Sequence, residues 1–204
     1  MGISERKERN KQKMRDLILD AAMKLFLEEG FYHVSIRKIA ERIEYSPATI
    51  YQYFKDKDDI VYALHNAGFE ELYKQQQKVL SIKDHGERLR KQGELYINFA
   101  LEHPEYYNLM FIMRAPARKI GRDDEWNAGR RSYEILKSNV EAAIRAGVFK
   151  NADPDIATFA LWAAAHGIVS LMLRNRCPMM DKKALPAIAR ETYDFLTSNM
   201  GIAK

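Results

Sequence analysis

Thr49, Gln52 and Tyr53 place a hydroxyl, a carboxamide and a phenol on one side of a short segment whose other side carries Ile50 and Phe54, four residues apart. At helical spacing those polar groups project together beside the small Ala48, and a helix with a small, polar outer face near its N-terminus can enter the major groove of DNA and reach base edges. Directly ahead, Ser46 can cap the orphan amides of such a helix, and Pro47 suits its first position, where a missing N–H costs nothing. A helix is therefore predicted from Pro47.

An element that reads DNA must be held by others. Ser35 offers an N-cap to a preceding helix, in which Ile36, Ile39, Ala40 and Ile43 follow the i, i+3, i+4, i+7 spacing of a buried face while Arg37, Lys38, Glu41 and Arg42 face outward. With the Glu44-Tyr45 turn between them, the two segments form a helix-turn-helix pattern. Upstream, Leu17, Ile18, Ala21, Ala22, Leu25 and Phe26 form the stripe of a long first helix that Gly30 ends as a C′ residue. Downstream, Lys55-Asp56-Lys57-Asp58 is a charged junction in which Asp56 or Asp58 caps a fourth helix carrying Ile60, Val61, Leu64, Ala67 and Leu72. The expected domains are residues 1–56 and 57–204, joined by a hinge at this junction.

The remaining apolar periodicity is helical throughout, so the expected fold class is all-α. Helices are predicted over about 85–101, in a short segment after Pro104, and over about 123–146, 154–174 and 182–200. Gly147, Asp153-Pro154 and Cys177-Pro178 punctuate them. The helix bearing Phe159, Leu161, Trp162, Ile168, Val169, Leu171, Met172 and Leu173 is apolar around most of its circumference. Leu185, Ile188, Ala189, Thr192, Phe195 and Leu196 stripe the last one. Such faces either build a four-helix bundle between two subunits or close the core of one. Between Glu94 and Arg114, the run Tyr96, Phe99, Tyr106, Tyr107, Met110, Phe111 and Met113 suits either an adaptable, mainly apolar cavity or plain core. Trp162 and His166, four apart, share a helix face and offer a stacking surface and a hydrogen-bonding group, for a ligand or for packing alone.

Composition narrows the classes. The chain has 204 residues, 47% hydrophobic and 30% charged, as a globular protein does, and no uninterrupted apolar run approaches the roughly 18 residues of a membrane span. No membrane passage and no signal peptide are expected, and the single cysteine, Cys177, suits a reducing cytoplasm. The net charge of +5 is unevenly spread: Arg6, Lys7, Arg9, Lys11, Lys13 and Arg15 face only Glu5 and Glu8 in the first fifteen residues. This basic arm is either an electrostatic tether to phosphates or a solvated helix start. The five histidines are scattered, and neither an HExxH run, a Cys/His metal spacing nor a glycine-rich phosphate loop is present. No catalytic residues, no metal and no cofactor are expected. Arg114 as an anion partner and Cys177 as a redox sensor are weaker candidates.

From about residue 10 to 65 the chain resembles the tetracycline-repressor (TetR) family of bacterial transcription regulators. The matching signs, in order and spacing, are Ile18 to Ala22, Leu25-Phe26, Glu29-Gly30-Phe31, Ser35 to Ala40, Ser46 to Phe54 and Lys55-Asp56-Lys57. A shorter pattern, Ala146 to Phe149, Asp153-Pro154 and Leu161 to Gly167, resembles a Trp/His-Gly-containing ligand-domain subgroup of that family. The turn departs from the family's frequent glycine: Glu44 resists positive φ, so a slightly different turn is expected. Ala48 also stands where glycine is common, which bears on base preference.

The resemblance implies that Arg37 reaches a base edge through its forked guanidinium and that Pro47, Ala48, Thr49 and Gln52 lie against major-groove bases. It implies phosphate contacts for Ser35, Tyr51, Tyr53 and Lys57, with half-buried packing as the alternative for Tyr51. It further implies a homodimer on palindromic double-stranded DNA and a small-molecule, largely apolar effector in the C-terminal domain, where Tyr96, Phe99, Tyr107, Met110, Phe111, Trp162 and His166 are the candidate ligand residues. The expected function is a ligand-responsive transcriptional regulator, a repressor released from its operator by the effector. An effector-independent architectural DNA-binding protein and an all-α enzyme that contains a helix-turn-helix are the alternatives.

Overall fold

The computed structural model describes residues 2–114, 127–149 and 152–199. Among them every regular element is helical: α1 Ile3–Glu29, a 3₁₀ turn Phe31–His33, α2 Ile36–Arg42, α3 Pro47–Tyr51, α4 Lys57–Val79, α5 His85–Glu102, α6 Pro104–Tyr107, a π-turn Asn108–Ile112, α7 Asn127–Arg145, α8 Pro154–Leu173 and α9 Leu185–Asn199. The expected start of the seventh helix near residue 123 and its end at Met200 for the ninth lie outside the described residues, and the ninth begins at Leu185, after a turn, three residues later than expected.

Local chemistry sets the helix ends. Ser35 Oγ accepts from the Lys38 amide and Ser46 Oγ from the Thr49 amide. Asp84 caps α5, and Asp153 caps α8 through the amides of Asp155 and Ile156. At the junction it is Asp56 that caps α4, accepting from the Asp59 amide, while Asp59 accepts in return from the Lys55 amide. Three helices close alike. Tyr45 N–H donates to Ala40 O, Val148 N–H to Ala143 O and Arg176 N–H to Leu171 O, each across a residue in the left-handed region: Glu44 (φ 59°), Gly147 (φ 76°) and Asn175 (φ 53°). This hydrogen-bond pattern demands positive φ at the residue it spans. The turn after α2 therefore has the left-handed geometry that glycine favours, and Glu44 adopts it in spite of its Cβ, contrary to the expectation of a different turn.

The described residues fall into two compact units, one within Met1–Gly68 and Asn108–Asp123, the other within Phe69–Tyr107 and Asp124–Lys204. In the first, Ile18, Ala22, Ile39, Ala40, Ile50, Phe54, Ile60 and Val61 form the core that fixes α2 and α3 against α1. Leu17, assigned to the core stripe, is 42% exposed, because Ile18 and Ala22 already fill the side of α1 that meets the core. The basic arm is part of the same 27-residue helix, and Arg6, Lys7, Arg9, Lys11 and Lys13 are exposed on it.

In the second unit α5 packs against α7, α8 and α9. Buried amides tie the helices together, with Asn139 Nδ2 donating to Gln92 Oε1 at 2.7 Å and Ser132 to Gln76 Oε1 at 2.8 Å. Helix α8 alone among the described helices is long and apolar enough to cross a membrane, a property the count of uninterrupted apolar residues missed because Asp155, Thr158, His166 and Ser170 break the run. Only 28% of its most apolar window is buried within the chain. Leu161 and Val169 face inward, whereas Phe159 and, on α9, Phe195 are 60% and 66% exposed.

Candidate functional site

Helices α2 and α3 carry the predicted reading residues on a frame their neighbours impose. Ile50 and Phe54 are buried, which turns the remainder of α3 outward: Pro47, Ala48, Tyr51 and Gln52 are exposed, and Thr49 and Tyr53 are half-buried. Helix α3 is shorter than predicted, ending at Tyr51; Gln52 caps it and the amides of Tyr53 and Phe54 both turn back to Ile50 O. Ser46 Oγ and Thr49 Oγ1 lie 3.1 Å apart, so the hydroxyl expected at a base edge also braces the first turn. Ser35 is exposed at its cap.

The cations divide into two kinds. The Arg37 side chain is 81% exposed, and its Nε donates to Glu41 Oε1 at 2.9 Å, one turn along α2. An exposed pair of this kind holds its side chain weakly. Lys57 is held differently. Its ammonium donates to the carbonyls of Phe31 and Val34, each at 3.0 Å, and sits 4.2 Å from the centre of the Phe31 ring. Arg15, counted with the basic arm, donates from Nη1 to Tyr53 O at 2.9 Å and lies over the Phe54 ring at 4.4 Å. Lys38 pairs with Glu29, and Arg42 with Glu28 at 2.6 Å, fastening α2 to α1. In the Arg42 pair the hydrogen bond lowers the Glu28 carboxyl below its ordinary value.

The predicted effector residues split between the units. Met110 and Phe111 belong to the first; Tyr96, Phe99, Tyr107, Trp162 and His166 belong to the second. There the Tyr107 and Tyr96 hydroxyls lie 3.0 and 3.3 Å from His166 Nδ1, and the Tyr107 hydroxyl is also 3.2 Å from His166 O. The Trp162 ring is 6.1 Å from the imidazole. Burial pushes the Tyr107 phenol up to about 12, raises Tyr96 well above the usual range and lowers His166, so the cluster is uncharged near neutral pH. Phe99 is buried with its ring 5.3 Å from that of His103.

Two residues outside the predicted reading and effector residues matter to these frames. One is Arg15. The other is His65, fully buried on α4, whose Nδ1 lies 3.1 Å from Leu109 O within the first unit. Its placement was open to inspection, since Val61, His65 and Leu72 repeat at four- and seven-residue intervals along one helix face.

The order of these elements has counterparts. Residues 18–64 match the model of bacterial regulatory proteins of the tetR family, and residues 89–196, more than half of the chain, match the tetracyclin repressor-like C-terminal domain. The chain belongs to the tetR family of bacterial regulatory proteins. As a member, this tetR-family protein is a DNA-binding transcriptional regulator and not an enzyme.

Among curated relatives, the HTH-type transcriptional regulator HbdR of Aromatoleum sp. (strain CIB) is 47% identical over 51 residues, 25% of this chain and 22% of that protein. YuxN of Bacillus subtilis (strain 168), an uncharacterized HTH-type transcriptional regulator, is 27% identical over 97 residues, 46% of this chain and 32% of that protein. The matched stretch thus spans about a fifth to a third of these relatives' length. Over the whole fold, a putative TetR-family regulator from Syntrophomonas wolfei aligns with TM-score 0.74 at 21% identity, covering 95% of this chain and 99% of that one. The fatty acid degradation regulator FadR from Bacillus halodurans aligns with TM-score 0.71 at 19% identity, covering 88% and 93%. At such identities the likeness is one of fold.

Proposed function

We propose that this tetR-family regulator is a cytoplasmic homodimeric repressor that leaves a palindromic operator when a small, largely apolar molecule binds its C-terminal part. The observation that carries this is the outward face of α3: Pro47, Ala48, Tyr51 and Gln52 stand exposed on a segment anchored by Ile50 and Phe54. Residues 1–56 then serve as the DNA-binding domain and 57–204 as the effector and dimerisation domain. Arg37, Pro47, Ala48, Thr49 and Gln52 read bases, while Ser35, Tyr51, Tyr53 and the exposed cations of the arm meet phosphates.

One reading helix covers only a few base pairs, so useful specificity needs a two-fold pair. The apolar, incompletely buried α8, with Phe159, and α9, with Phe195, supply a face on which a second copy completes the burial. The uncharged cluster of Tyr96, Tyr107, Trp162 and His166, with Phe99 beside His103, suits a neutral ligand with one hydrogen-bonding group. Tyr107 immediately precedes the π-turn in which Met110 and Phe111 lie, and within the first unit Leu109 O of that turn lies 3.1 Å from His65 Nδ1 of α4. If the ligand prefers a dimer whose reading helices no longer match successive major grooves about 34 Å apart, operator-bound protein is depleted.

The test is footprinting on genomic fragments. A single palindromic footprint, released by one compound of a neutral apolar library, supports the proposal. Sequence-indifferent coating of the DNA, unaffected by any compound, overturns it in favour of an architectural role.

A further inference from the structure

One buried hydrogen-bond relay in the second unit has its direction fixed by its first member. The Arg88 guanidinium, which carries donors and no acceptor, reaches Asn139 Oδ1 at 3.5 Å, so that end of the Asn139 carboxamide accepts and the other end donates. Asn139 Nδ2 then donates to Gln92 Oε1 at 2.7 Å. What remains of the Gln92 carboxamide is Nε2, a donor. Gln92 and Asn139 are 2% and 3% exposed, and Gln92 Nε2 is buried with no acceptor within hydrogen-bonding distance among the described residues. A buried donor without an acceptor is costly, and native proteins keep few of them.

Gln92 lies four residues before Tyr96 on α5, so the two side chains share a helix face one turn apart. The Tyr96 and Tyr107 hydroxyls already meet His166, whereas the Gln92 donor has no such partner. We propose that Gln92 Nε2 is a specificity-determining donor for the effector, which therefore carries an acceptor oxygen, of a carbonyl or an ether, roughly 5 Å (one helical turn) from the group that meets the Tyr96–His166 cluster. This role rests on the effector reading above and narrows its ligand class from neutral and apolar to neutral, apolar and oxygen-bearing. Asn139 and Arg88 are positioning residues: they hold the carboxamide so that Nε2, and not Oε1, is the end left for the ligand.

Probes that differ in that one atom test the role: 2-acetonaphthone against 2-isopropenylnaphthalene, and 2-undecanone against 2-methyl-1-undecene, where C=CH2 replaces C=O at nearly the same shape. In thermal melting and calorimetric titration, the full-length wild-type protein is expected to bind a ketone about tenfold more tightly than its alkene. Gln92→Met lowers the ketone to the affinity of the alkene and leaves the alkene unchanged. Asn139→Asp keeps the shape but offers only acceptors, with Arg88 beside it to balance the charge. Gln92 must then turn Nε2 toward position 139 and Oε1 toward the ligand, so the ketone preference disappears although no residue that meets the ligand has changed. This second variant serves where Gln92→Met, which strips Asn139 of its acceptor, fails to fold. Equal affinity of wild type for ketone and alkene overturns the inference and leaves the effector reading standing, as does a ketone preference retained in either folded variant. Binding of none of the four probes counts against the effector reading itself, and the inference falls with it.

The Gln92 side-chain amide gives a second readout that does not depend on affinity. Its nitrogen-15 amide signals, identified by their absence from Gln92→Met, are expected to move downfield when a ketone binds and to stay in place with the alkene. A merely structural Gln92 gives the same signals with either probe, which overturns the inference. A cross-peak from those protons to a long-lived water that persists with the ketone bound overturns it too, since the donor is then satisfied by solvent.

Discussion

His65 Nδ1 lies 3.1 Å from the main-chain oxygen of Leu109, 44 residues further along the chain, and the imidazole is fully buried. A buried imidazole cannot be charged without losing its solvation, so burial holds its pKa below the ordinary 6.5, partly opposed by the Leu109 carbonyl. In the unfolded chain the group takes up a proton near the ordinary value, whereas the folded chain takes it up only at lower pH.

Stability therefore depends on pH with a fixed sign. The contribution of His65 is present above about pH 6.5 and is lost as pH falls toward its folded value. Melting temperature is expected to decline as pH falls below about 6.5, with His65→Gln flattening part of the decline and His166, lowered in the same direction, accounting for more of it. A melting temperature that rises on acidification through this window contradicts the assignment.

Glu44 supplies a second test. A left-handed residue with a Cβ costs about 1 kcal/mol relative to glycine, and Glu44 is exposed with φ 59°. Glu44→Gly is expected to stabilise the protein by up to about 1 kcal/mol, near 3 °C in melting temperature, with DNA affinity unchanged or improved. Destabilisation by glycine would show that the glutamate side chain makes a compensating interaction.

Gly93 on α5 lies under the ring of Tyr193 from α9, and a Cβ at position 93 would overlap that ring. Gly93→Ala must displace a fully buried tyrosine, at a cost of about 1–3 kcal/mol. Adding Tyr193→Leu to Gly93→Ala is expected to recover part of the loss, so the two changes should be non-additive in a thermal or urea double-mutant cycle. Additive losses would place the strain elsewhere.

The face of α8 predicts assembly. Phe159→Asp puts a charge on an exposed apolar surface that a second copy would have to desolvate. Sedimentation of the variant at micromolar concentration is expected to show monomers with intact helical circular dichroism, and operator affinity should fall by more than tenfold. A variant that remains dimeric points to another interface.

Much of this was legible because it is local. The caps Ser35 and Ser46 satisfy amides three residues away, and Gly30 and Gly147 mark helix ends by backbone freedom alone. What was hidden depends on residues far apart. Arg15 appears in the sequence as one of six cations, and nothing near it names its partner, the Tyr53 carbonyl 38 residues on. Lys57 likewise meets carbonyls 26 and 23 residues before it. Leu17 fits the helical stripe as well as Ile18 does, but periodicity does not say where along α1 the core runs out. At Glu44 the residue's own preference against positive φ gives way to the turn, in which the Glu44 amide reaches Glu41 O and the Tyr45 amide reaches Ala40 O.

The length of α1 constrains how the basic arm meets a duplex. Residues 3 to 14 continue the helix ahead of Arg15 as a rod of roughly 18 Å, and an α-helix with its side chains is about 10–12 Å across. The minor groove of B-form DNA is only about 6 Å wide. Kept helical, the arm cannot thread that groove as an extended tail does, and any insertion there requires its first turns to unwind.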